Sequence, residues 1–169
     1  MKQTRARFLV HAAVIAALYA VLTHLQNILL PGTASMAIQM RVSEAMCVLA
    51  FFTPAAIPGL SVGCLVFNLT FAGTLPLDFL VGTLASFLAA EGMWLTRKVT
   101  VKGYLLPGMC MPAITNAILV GWELTFYLGG GFALNALYVA IGELAVLLTL
   151  GTALYYALKR RGVAEKLFA

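Results

Sequence analysis

All but one of the eleven basic residues fall in three short clusters, and the stretches between them are almost wholly apolar. Lys2, Arg5 and Arg7 form the first cluster, Arg97, Lys98 and Lys102 the second, and Lys159, Arg160, Arg161 and Lys166 the third, while Arg41 stands alone. A soluble domain needs polar residues scattered along its chain to cover its surface, and here they are missing. Apolar residues make up 62% of the 169 and charged residues 10%, with a mean hydropathy of +0.97, against about 45–50% and about 25% in soluble domains. At about 20 residues per crossing, the length permits six or seven membrane-spanning helices with short loops. A single integral membrane domain over residues 1–169 is therefore expected, with any energy source on other chains. Nucleic-acid binding is disfavoured, because the basic residues flank apolar segments instead of forming one surface stripe.

Breaks in the apolar pattern divide the chain into an all-α, polytopic bundle of six transmembrane helices. The first span covers residues 8–29, followed by a loop at 30–40 marked by Pro31, Gly32, Thr33 and Ser35. Pro54 and Pro58 split the next apolar stretch into short helices at 42–53 and 56–69, since proline interrupts the helical hydrogen-bond ladder. A loop at 70–76 leads to a fourth span at 77–96, and further spans occupy 104–127 and 133–158 with a glycine run at 129–131 between them. Basic clusters mark the cytoplasmic side, which requires an even number of crossings between each pair. Six crossings satisfy that condition and put both termini in the cytoplasm. The apolar N-terminal stretch lacks a convincing cleavage site and reads as a retained span.

With this orientation, the loops at 30–40, 70–76 and 128–132 face outside, and most intramembrane polar residues lie in the outer half. Arg41 and Glu44 begin the second helix, Asn68 ends the third, and Asp78 begins the fourth; Asn116 and Glu123 share a face of the fifth, and Asn135 and Glu143 a face of the sixth. Charged groups in lipid are costly unless paired or wet, so these residues describe an outward-facing pocket. Carboxylates only accept hydrogen bonds, and the matching ligand offers N–H donors or positive charge, as heteroaromatic bases and amines do. Plainer roles remain open for each. Arg41 and Glu44 suit an ion pair at a helix start, the asparagines suit inter-helix bonds, and Asp78 suits a helix cap. Glu91 lies near Arg97 and Lys98 as a local partner, and His24 is a candidate for the pocket rim.

Two further features belong to the surfaces. Ala12, Ala16 and Ala20, with Ala13 and Ala17 beside them, form a smooth ridge on the first helix that suits either packing within the bundle or a partner subunit. Tyr19, Trp94, Tyr104, Trp122, Tyr127 and Tyr138 read mainly as an interfacial aromatic belt, with Trp122 or Tyr127 also able to stack on a flat ligand. Cys47, Cys64 and Cys110 read as small buried hydrophobes. The sequence has no GxxxxGK loop, HExxH arrangement or nucleophile elbow. No cofactor, metal or catalytic residue is expected, and the chain is not expected to be an enzyme.

The phrases IQMRVSEAMCVLAFF at 38–52, TPAAIPG at 53–59, NAILVGWEL at 116–124, NALYVAIGE at 135–143 and KRRG at 159–162 resemble the QueT family. QueT proteins are substrate-binding S components of energy-coupling-factor (ECF) transporters for queuosine precursors. The resemblance implies a six-helix S-component fold in a bacterial plasma membrane and a pocket near the outside for a 7-deazaguanine such as preQ1, preQ0 or queuine. It also implies a T component and two cytoplasmic ECF ATPase subunits as partners. By motif it carries substrate contact onto Arg41, Glu44, Asn116, Glu123, Asn135 and Glu143, with Asn68 added from its depth, and makes the alanine ridge a surface for the T component. The rival readings are an independent secondary transporter for a purine-like base or small amine, and a membrane scaffold whose acids serve only helix contacts.

Overall fold

Residues 5–29 contain neither proline nor glycine, and in the computed structural model they form one helix, α1 (Arg5–Leu29), capped by the Thr4 hydroxyl accepting from the Arg7 amide at 3.4 Å. The structure describes residues 4–33, 40–71, 73–102 and 104–168. Lys2, most of the expected 30–40 loop and the start of the IQMRVSE phrase lie outside the described residues, as does the side chain of Arg161.

The short helix expected at 42–53 is a 3-10 helix, Val42–Phe51, buried from Ser43 to Phe51. Such helices seldom exceed one turn, because their hydrogen bonds are poorly aligned. Ten residues in this form reach about 20 Å, roughly 5 Å further than in an α-helix. The element thus extends deep into the bundle, with α1, α2 (Ala56–Thr70) and α3 (Asp78–Leu95) packed around it. Pro54 and Pro58 confine the restart to Ala56, and the Thr53 hydroxyl accepts from the Ala55 amide at 3.3 Å in the turn.

The remaining spans are also interrupted. The expected 104–127 span is α4 (Leu106–Met109) followed by α5 (Met111–Leu128), broken at Cys110 ahead of Pro112. Positive φ at Gly129 (78°) and Gly130 (82°) makes the turn into α6 (Phe132–Val146). A π-helical segment at Leu147–Gly151 joins α6 to α7 (Thr152–Lys159), and α8 (Val163–Phe168) follows a 3-10 turn. The observed architecture is an all-α polytopic bundle. Four helical stretches are long and apolar enough to cross a membrane, Arg5–Leu29, Asp78–Leu95, Leu106–Leu128 and Phe132–Lys159, alongside the shorter Val42–Phe51 and Ala56–Thr70. Outward-facing Leu9, Val14, Leu18, Leu69, Phe126 and Leu137 give the bundle the apolar exterior that lipid requires.

Contacts sort the two ends of the bundle. At one end, His11 meets Phe168 edge-on at 5.4 Å, Phe51 and Phe52 meet Tyr155, and Gly108 lies against Phe51 and Thr96. This end carries the helix termini that bear the three basic clusters. Arg97 lies over the Trp94 ring at 3.6 Å and donates to the Trp94 carbonyl. The opposite end joins α1, α2 and α3 through His24, Thr70, Asn68 and Asp78.

One side of the alanine ridge serves internal packing. A Cβ at Gly59 would lie 2.9 Å from the Ala12 carbonyl, and one at Gly63 would lie 2.8 Å from the Ala16 carbonyl and 2.7 Å from Tyr19 Cβ. The two glycines, four residues apart, let α2 press backbone to backbone against α1. Ala16 and Ala20 are buried in this contact and Ala12 is half-buried, whereas Ala13 and Ala17 are exposed. Gly63→Ala is expected to destabilise the protein by about 1–3 kcal/mol through overpacking. Ala17→Leu on the exposed face should change stability by less than about 0.5 kcal/mol. Unfolding in detergent measures both.

Candidate substrate site

A helix inside lipid cannot borrow water for its first amides, so the start of the 3-10 helix has to be capped by protein. Gln26 of α1 does this: its Oε1 accepts from the Val42 amide at 2.7 Å, and its Nε2 donates to the Met40 carbonyl at 2.6 Å and to the Thr33 hydroxyl at 3.0 Å. One turn below, Thr23 Oγ1 and Ser43 Oγ lie 2.7 Å apart. These contacts hold the segment 41–47 in place, and with it Arg41, Glu44 and Cys47.

Glu44 is buried and well supplied with donors. Tyr19 donates its hydroxyl to Oε1, and the Cys47 thiol donates to Oε2 at 3.1 Å. Arg41 is buried at the cap position of the same helix, with its guanidinium 5.6 Å from the centre of the Phe67 ring and 3.9 Å from the Cys64 sulfur. Asn68 donates to the Asp78 carbonyl at 2.7 Å, closing the end of α2 onto the start of α3, and Asp78 Oδ2 accepts from the Leu75 amide at 2.8 Å. On the far side, Asn116 of α5 donates to Glu143 Oε1 of α6 at 3.0 Å. Glu123 of α5 is wholly buried next to Asp78.

Arg41 lies at the electrostatic centre of this arrangement. Glu44, Asp78, Glu123 and Glu143 all interact with it, and Glu143 also interacts with Glu44. Among the described residues, no three His, Cys, Asp or Glu side chains are arranged to hold a metal ion. The cluster has two levels. Glu123 is roughly 8 Å from the C-terminal end of α5, whereas Asn116 and Glu143 lie roughly 17 Å from the α5–α6 turn along α5 and α6. Arg41, Asn68 and Asp78 accompany Glu123, and Tyr19, Glu44 and Cys47 continue the deeper layer.

Six of the seven expected site residues therefore meet around one core: Arg41, Glu44, Asn68, Asn116, Glu123 and Glu143, all buried. Asn135 lies apart, half-buried, donating to Thr125 Oγ1 at 2.9 Å and to the Gly129 carbonyl at 3.0 Å, where it fastens the α5–α6 turn. Three aspects differ from the sequence expectation. Tyr19, expected in an interfacial belt, is wholly buried against Glu44. Trp122, expected as a possible stacking surface, is 53% exposed and stacks on Phe126 at 6.0 Å, because Glu123 turns inward and its neighbour therefore faces out. Cys47 and Cys64 belong to the polar cluster instead of only filling apolar space. Gln26, Thr23 and Ser43 carried no distinctive spacing and emerge only from the packing.

The chain matches the family model described as QueT transporter over residues 9–160. It belongs to the QueT transporter family. The match spans every element that contributes to the cluster, from α1 to α7. No curated protein and no solved structure matches the chain. QueT membership makes this a transport protein rather than an enzyme.

Some of the cluster's hydrogen-bonding capacity is unused. Among the described residues, the buried side-chain polar atoms without a hydrogen-bond partner are Asn27 Oδ1, Asn68 Oδ1, both oxygens of Glu123 and Glu143 Oε2. Every one is an acceptor. Each buried acceptor left unmet costs about 1–3 kcal/mol, which is a reserve that a donor-bearing ligand recovers. Tyr19→Phe adds a further unmet acceptor at Glu44, and a loss of about 1–3 kcal/mol in unfolding free energy is expected. Chemical denaturation in detergent checks it.

Proposed function

We propose that this chain is the S component of an ATP-driven ECF importer, binding a queuosine precursor of the 7-deazaguanine type from the outside. The observation that carries the proposal is the buried cluster whose unused atoms are all acceptors. A guanine-like edge presents N1–H and an exocyclic amine side by side, a donor pair suited to a carboxylate with a free oxygen such as Glu143 beside Asn116. Arg41 supplies donors for the O6 and N7 edge. Glu44, Asn68 and Glu123 complete the substrate contacts, and Asn135 supports them by holding the α5–α6 turn.

In this proposal the six helical segments all cross the membrane, the two short ones lying within protein, and residues 1–169 act as one substrate-binding domain. Gathering the basic clusters at one end supports a cytoplasmic location for both termini in a bacterial plasma membrane. Substrate binds from the opposite side, the outer loops close over it, and the loaded bundle reorients beside a T component. Two ATPase subunits reset the complex and release substrate inside. Ala13 and Ala17, free of the α2 contact, form the centre of the T-component face, and Ala12, Ala16 and Ala20 hold α1 in shape behind it.

Saturable binding of at least one of preQ1, preQ0, queuine and guanine to the purified chain is expected, weakened roughly 10-fold or more by Glu143→Gln. A folded chain that binds none of them would remove the substrate assignment. Uptake into proteoliposomes should require the T component, both ATPases and ATP. Uptake by the chain alone under an ion gradient would instead favour an independent secondary transporter.

A further inference from the structure

The connection between α3 and α4 lies away from the buried cluster and has a different chemistry. Residues 92–122 contain no Asp or Glu, and their basic residues, Arg97, Lys98 and Lys102, all fall in this connection. It is a tight hairpin in which Val101 and Tyr104 exchange both backbone hydrogen bonds, at 2.9 and 3.0 Å. Lys102 lies at its tip with φ at 51°, a left-handed conformation disfavoured for a residue with a Cβ and held here by the paired hydrogen bonds. Lys98, Val99, Thr100, Val101 and Lys102 alternate between polar and apolar, which in an extended segment separates the cations from the valines.

The hairpin exposes apolar surface and unpaired charge together. Val99 is 50% exposed, Val101 47% and Tyr104 59%, and Leu95 and Leu106 are exposed at the flanking helix ends. Lys98 and Lys102 are also exposed, and among the described residues neither ammonium has an ion-pair or hydrogen-bond partner. Arg97, by contrast, is taken up by Trp94, and Lys159 of the C-terminal cluster lies 5.6 Å from the centre of the Tyr155 ring. Water suits the lysines and not the valines, whereas hydrocarbon does the reverse. The headgroup layer of a bilayer suits both.

We propose that the α3–α4 hairpin is a binding surface for anionic phospholipid headgroups. Lys98 and Lys102 meet the phosphate, Val99 and Val101 enter the acyl boundary, and Trp94 and Tyr104 sit at headgroup level as amphipathic rings. A zwitterionic headgroup is the poorer match, because its own cation offsets the attraction and the hairpin has no carboxylate to receive it. Since the hairpin joins α3 to α4, the bound lipid fixes the ends of both helices at the membrane surface.

Headgroup binding is independent of which substrate the polar cluster takes, and fluorescence tests it directly. Trp94 and Trp122 are the two tryptophans, so Trp122→Phe leaves Trp94 as the sole indole, beside the hairpin. The purified Trp122→Phe chain is reconstituted in vesicles of equal phosphatidylglycerol and phosphatidylcholine, with one or the other brominated in its acyl chains. Quenching of Trp94 is expected to show phosphatidylglycerol favoured about 5-fold or more, the factor for one lysine near an anionic surface. Adding Lys98→Gln and Lys102→Gln should bring the preference to about 2-fold or less, and raising salt from about 0.1 to about 1 M should lower it in the parent. Trp94→Phe, which leaves Trp122 near the opposite end of the bundle, should show no such preference. Circular dichroism confirms that each variant keeps its helices. Equal quenching of Trp94 by the two lipids would overturn the headgroup surface. So would the same preference at Trp122, or a preference undiminished in the double-lysine variant, which would place anionic lipid on another basic cluster.

Discussion

One buried guanidinium interacting with four carboxylates from four different elements is the constraint around which this bundle is organised. Arg41 interacts with Glu44, Asp78, Glu123 and Glu143, which come from the 3-10 helix, α3, α5 and α6. Burying such groups apart would cost several kcal/mol each, and collecting them lowers that cost only if the helices that carry them are held in register. Many of the remaining features serve that register. Gln26 caps the 3-10 helix, Asn68 ties α2 to α3, and Asn135 fastens α5 to α6.

The 3-10 helix is the unusual element, and its burial explains how it persists. With α1, α2, α3, α6 and α7 around it, it is buried from Ser43 to Phe51, which shields its poorly aligned hydrogen bonds. The same crowding demands small residues nearby. Gly59 and Gly63 bring α2 against the backbone of α1, and Gly151 leaves room for Val48, whose Cγ1 would lie 3.3 Å from an added Cβ. At the end bearing the basic clusters, Phe51, Phe52, Tyr155 and Phe168 form an aromatic plug. The polar cluster and the aromatic group thus occupy opposite ends of one buried segment.

Much of this was legible in the residues. Pro54 and Pro58 marked the division between the 3-10 helix and α2, the glycine run marked the α5–α6 turn, and the intramembrane acids marked the polar core. The role of Tyr19 was hidden, since a tyrosine in the middle of an apolar helix carries no spacing signal. It follows from a Glu44 that lies 25 residues away in sequence. The split of the alanine ridge was equally hidden. Five alanines describe a smooth surface, but only the glycines of α2 decide which side of it is covered.

Sequence by itself determined that the chain is an apolar helical bundle, that its basic residues collect at helix ends, and that a few acids lie within apolar helices. Those properties are local: they depend on how each segment partitions between water and hydrocarbon and on where proline and glycine interrupt a helix. Tertiary structure alone decided which acids acquired donors and which did not. Glu44 and Glu123 look alike in sequence, each an acid within an apolar helix, yet Glu44 is met by Tyr19 and Cys47 while Glu123 is left facing Asp78. The reason is that a hydrogen bond depends on a few ångströms between groups on different helices, a distance that neither hydropathy nor spacing encodes.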